Sequence, residues 1–106
     1  MIGADRTAGD ASLHESDIVQ RLARYLRSNP LAADTTEGIT QWWLGLTRAW
    51  IEPVERALAA LQAAGVIESS RALDGHVRYR RTTPGAETDA RLDRLIEVPP
   101  DAAHDR

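Results

Sequence analysis

The chain has 106 residues, 42% of them hydrophobic, with a net charge of −3 and no cysteine. That length supports one small core and not two, and the missing cysteines exclude disulfides, thiolate metal sites and cysteine nucleophiles. No apolar run approaches the ~20 residues of a membrane span and the N-terminal MIGADRTAGDAS is no signal peptide, so a soluble cytoplasmic protein is expected.

Phe is absent too, so three Trp, two Tyr and the many Leu and Ala must fill the interior. The negative charge argues against a polyanionic partner, but it sits in the tails. Across residues 13–81, nine arginines meet eight carboxylates. Lys is absent. With so much Ala, that bias reads as a GC-rich genome rather than as phosphate recognition.

Residues 1–12 lack periodicity and read as a flexible leader. Ser16 or Asp17 begins a first helix, in which Ile18, Leu22, Tyr25 and Leu26 form one apolar stripe with Val19 beside it. Gln20, Arg21, Arg24 and Arg27 point away as a solvated face. Ser28-Asn29-Pro30 stops the helix. Residues 31–34 read as a connector. Thr35 or Thr36 can cap a short second helix, with Glu37 well placed in its first turn. Ile39, Trp42, Trp43 and Leu46 then repeat at helical spacing and should dock on the first helix. The adjacent Trp pair reads first as packing. The sharper alternative leaves one indole exposed as a partner anchor.

A third helix is expected over about 50–64, with Pro53 in its first turn and Val54, Leu58 and Leu61 on one face. Gly65 follows as the residue past its C-terminus, and Val66-Ile67 starts a strand. Asp74-Gly75 predicts a two-residue hairpin. That turn sets Leu73 opposite His76, Ala72 opposite Val77, Arg71 opposite Arg78 and Ser70 opposite Tyr79. Val77 and Tyr79 then face the core, and His76, Arg78 and Arg80 face solvent. Arg71 directly opposite Arg78 would repel unless an anion lay between them. A last amphipathic helix follows Thr83 and Pro84, with Ala90, Leu92, Leu95 and Ile96 near one side. Val98-Pro99-Pro100 ends it, and the last residues read as disordered.

VERALAALQAAGVI, then DGHVRYR, then TTPG leading into a helix resembles the winged helix-turn-helix superfamily, especially its MarR-like and PadR-like regulators. The resemblance covers roughly residues 16–85. It implies an α+β fold of three helices and a two- or three-stranded β-wing over 13–83. A short C-terminal helix over 84–98 and a tail over 99–106 complete the chain. It also implies a DNA-binding transcriptional regulator, working as a homodimer on double-stranded DNA, because two recognition helices read two half-sites. Three departures stand out. His76 replaces the usual wing-tip Arg. Arg81 or Thr82 stands where the exit Leu is usual. The exposed start of the third helix offers Glu52 and Glu55, where a DNA reader more often presents Ser, Thr, Gln, Asn, Lys or Arg.

For DNA, Arg48 and Arg56 would meet the major groove or its phosphates, and Arg71, Arg78 and Arg80 would bracket phosphates beside the wing. The alternative is a winged-helix protein-interaction module, an adaptor or assembly subunit, with Trp42, Trp43, Glu52 and Glu55 facing the partner. A continuous positive stripe joining Arg48, Arg56, Arg78 and Arg80 would favour DNA; a surface broken by Glu52 and Glu55 would favour protein. His14, His76 and His104 lack ligand spacing, so neither a metal nor another cofactor is expected. No catalytic triad, glycine-rich phosphate loop or paired-carboxylate cleft is visible, and no enzyme activity is expected.

Overall fold

The computed structural model describes residues 13–83 and 85–98. The leader expected over 1–12, the tail over 99–106, Pro84 and His104 lie outside them. The described chain is α+β. Its helices are α1 (Glu15–Ser28), the single turn α2 (Thr36–Gly38), α3 (Ile51–Ala63) and α4 (Ala86–Glu97). Three short strands, β1 (Ala33–Thr35), β2 (Ile67–Arg71) and β3 (Val77–Arg81), form one antiparallel sheet in the order β1-β3-β2.

The predicted stripe of α1 faces the core: Ile18, Val19, Leu22 and Leu26 are buried, and Ala23 joins them. The helix starts at Glu15, ahead of the expected Ser16 or Asp17. His14 takes the cap position and donates its backbone N–H to Asp17 Oδ2 at 2.9 Å, so Asp17 serves the third turn position, reaching back. Val54, Ala57, Leu58 and Leu61 of α3 close over α1, with Ile39, Val66, Ile67 and Leu92 completing the core.

α4 lies along α1. Leu92 and Thr88 are buried, Leu95 and Ile96 pack partly against the core, and Ala90, expected on that side, is exposed. Gly85, and not Thr83, holds the cap position of α4. The seam is fastened by charge. Arg81 is only 3% exposed. Its guanidinium meets Asp89 at 3.0 Å and donates to the Leu26 carbonyl at 3.3 Å. Arg27 reaches both Asp89, at 3.5 Å, and Asp93, at 3.0 Å. Arg81 is therefore a buried cation, held by two carbonyls and a carboxylate.

Two expectations fail between α1 and α3. The connector at 31–34 contributes β1, a strand too short to show a period, whose partner β3 lies far along the chain. The second helix is cut to one α turn. Thr35 Oγ1 accepts the Gly38 N–H at 3.2 Å as the cap, and the Asp34 carboxyl packs where a Gly38 side chain would stand. Ile39–Trp43 then widens into a π-turn, with the Leu44 N–H donating to the Ile39 carbonyl. Widening the turn breaks the i, i+3, i+4 phase of the predicted stripe. Ile39 stays buried and Trp43 stacks on Tyr25 of α1, rings 4.5 Å apart, whereas Trp42 swings out to 73% exposure.

α3 ends as predicted. Gly65 has φ +79, its N–H donates to the Gln62 carbonyl, and the Val66 N–H donates to the Leu61 carbonyl, the paired bonds of a Schellman stop. The hairpin register differs by one residue from the expected one: Arg71 opposes Val77, Ser70 opposes Arg78, Ser69 opposes Tyr79 and Glu68 opposes Arg80. A two-residue type I′ turn needs positive φ at both central residues. Only Gly75 has it, at φ +89. The loop is therefore Leu73-Asp74-Gly75, closed by the Ala72 N–H on the His76 carbonyl and the Gly75 N–H on the Ala72 carbonyl.

Candidate functional site

The one-residue register change dissolves the expected Arg71–Arg78 pair. Arg71 sits beside Val77 and donates to the Gly75 carbonyl at 3.0 Å, folding its guanidinium onto the turn. Arg78 stands in mid-sheet, opposite Thr35 of β1 and Ser70 of β2. Directly opposite residues share a face, so two hydroxyl side chains flank it. Among the described residues it makes no ion pair.

The other predicted cations are tied to carboxylates. Arg48, in the 3-10 turn before α3, meets Glu37 at 3.5 Å. Arg56 leans toward α1 and meets Glu15 at 3.6 Å. Arg80 meets Glu68 across the β2–β3 ladder at 2.9 Å. Exposed pairs of this kind contribute about 0–1 kcal/mol. Their effect here is on potential: each carboxylate cancels a charge that the positive stripe would need. Glu52 and Glu55 are both exposed on α3.

Beside the first turn of α3 runs a furrow. One part, about 420 Å³, is lined by Thr35, Glu37, Ile51, Glu55, His76 and Val77. The other, about 370 Å³, shares Glu37 and Ile51 and continues past Leu46 and Arg48 to Thr40 and Gln41. Its apolar surface comes from Leu46, Ile51 and Val77, none of them fully buried. At the hairpin end, Asp74 is held below its ordinary carboxylate range, first by the backbone N–H of His76 at 2.9 Å and then by its imidazole, 3.2 Å away.

The structure thus brings Glu55, Glu37 and Arg48 to one furrow, and leaves Trp42 outside its walls. It separates Trp42 from Trp43, which packs inward. Reading the sequence missed Glu37 as a furrow residue, Leu73 as a fully exposed apolar tip and Arg81 as a buried cation. Only Leu73 carried a local signal, an apolar residue beside a turn dipeptide. Neither a scan against protein-family models nor searches of curated proteins and of solved structures found a match.

Proposed function

We propose that the chain is a winged-helix protein-interaction module that anchors a partner through Trp42. The order α1, β1, α2, α3, β2, β3, with α3 leading into a hairpin, supports the winged-helix reading. The observation that carries the interaction reading is Trp42, 73% exposed beside a buried-facing Trp43. An indole in water forgoes the burial that drives folding, and tryptophan is enriched among residues that dominate binding energy. π-turns also recur at functional positions. The paired arginines and the exposed Glu52 and Glu55 weaken the attraction to a polyanion and suit a protein surface.

The test is affinity capture from the native cell extract with the wild type and with Trp42→Ala. The wild type should retain a defined protein that the variant loses. Recovery of the same proteins by both would remove the anchoring role. A second reading, a dimeric DNA-binding regulator, is favoured by Arg78, which stands between two hydroxyl side chains and makes no ion pair among the described residues. Under that reading a duplex-DNA titration shows salt-dependent binding, and Arg78→Ala lowers the salt slope by about 1. Absence of binding at low salt eliminates it.

A further inference from the structure

Asp74-Gly75 is the chain's single Asp-Gly step, and such a step carries covalent chemistry of its own. A backbone nitrogen can attack the carboxyl carbon of the aspartate before it, closing a five-membered imide. Glycine hinders that closure least, because it has no Cβ. At Gly75 the space that a Cβ would fill is open, and more than half of the Asp74 side chain is exposed. Neither crowding nor burial protects the step. Hydrogen bonds hold both reacting groups instead. The Gly75 N–H donates to the Ala72 carbonyl at 2.9 Å. Asp74 Oδ1 accepts the His76 N–H at 2.9 Å, and Oδ2 lies 3.2 Å from the His76 imidazole Nδ1. These contacts draw the carboxylate past Gly75 to the residue beyond it. They also favour its charged form, the form that resists a nucleophile.

We propose that Asp74-Gly75 is a succinimide-forming modification site that the folded hairpin holds shut, with His76 as the latch. When the turn opens, a bond forms between the Gly75 nitrogen and Asp74 Cγ, and one Cγ–O bond breaks. The nitrogen's proton, a second proton from the carboxylic acid and that oxygen leave as one water. Water then reopens the ring at either carbonyl, giving back aspartate or leaving isoaspartate. No oxidant or cofactor takes part. Isoaspartate adds a methylene to the backbone of the Leu73-Asp74-Gly75 loop. That lengthening disrupts the Ala72–His76 and Gly75–Ala72 bonds that close it. The modified chain therefore carries a loosened hairpin tip. This is independent of the Trp42 reading, since Trp42 lies outside the hairpin.

The test is to age the full chain at mildly acidic pH, folded and in urea, and to follow isoaspartate at Asp74 by peptide mapping. In urea the site should convert. In the folded chain it should convert at least about tenfold more slowly, the factor expected when two ordinary hydrogen bonds must open together. His76→Ala keeps the backbone N–H and removes the imidazole. With an unchanged circular dichroism spectrum, it should convert several-fold faster than the folded wild type. Equal rates in the folded chain and in urea overturn the proposal. So does a site that never converts in urea, or a folded His76→Ala chain that ages at the wild-type rate. Partner capture by Trp42 is read separately and is untouched by any of these outcomes.

Discussion

Arg81 and Arg78 sit three residues apart on β3 and serve opposite halves of the molecule. Arg81 faces the helices, is almost wholly buried and joins α1 to α4 through Asp89. Arg78 faces outward, exposed, between Thr35 and Ser70. Trp43 and Trp42 divide in the same way, one stacked on Tyr25 and one in water. The seam spends its charged and aromatic groups on contacts within the chain. Among the described residues, the face around α2, α3 and the hairpin leaves Trp42, Leu73, Arg78, Glu52 and Glu55 without such contacts. Residue type alone does not separate structural from available groups; neighbours do.

That contrast can be broken by mutation. Asp89→Ala strips the carboxylate from buried Arg81 and should cost about 3 kcal/mol, at the low end for a broken buried pair because Asp89 keeps some access to water. Arg81→Met, of similar bulk, should cost much less, since Asp89 keeps Arg27. Thermal unfolding measures both, and a negligible loss for Asp89→Ala would mean the seam is not held by charge. Trp43→Ala should lose about 2 kcal/mol in urea unfolding, less than a fully buried indole would.

Gly38→Ala sharpens the comparison at the edge of the open face. Alanine is the better helix former, but its Cβ meets the Asp34 carboxyl. Turning that carboxyl aside gives up its bond to the Thr35 N–H, which offsets the propensity gain, and a net change within about 0.5 kcal/mol is expected. A gain beyond that range would show that Asp34 moves aside freely. Trp42→Ala should change stability by no more than about 0.5 kcal/mol, in contrast to its neighbour. The smallest effect is at the turn. The folded-state pKa of Asp74 is depressed, so its contribution is present above the ordinary carboxylate range and lost only as pH falls through the lowered value. Its carboxyl carbon, followed by NMR, should titrate below free aspartate; a midpoint at or above that of free aspartate would contradict the His76 contact.

Much of the fold was legible. The stripes of α1 and α3, the Gly65 stop and the turn at Asp74-Gly75 each depend on residues within one or two turns of each other. The candidate cations were legible by residue type and not by arrangement. Arg48, Arg56 and Arg80 stood out as cations, yet their carboxylates come from α2, α1 and β2. Nothing in the spacing announced those partners.

The chain's own chemistry decided where α3 stops, that a hairpin follows α3, and which faces of α1 and α3 are apolar. Those features follow from backbone preferences and periodicity acting over a few residues. Packing decided the rest. It paired the three residues of β1 with a distant strand, and widened the turn at Ile39–Trp43 so that one indole left the core. It drew Arg81 inward against α4. Each of these depends on which distant groups come to lie together, and that is fixed only when the whole core closes.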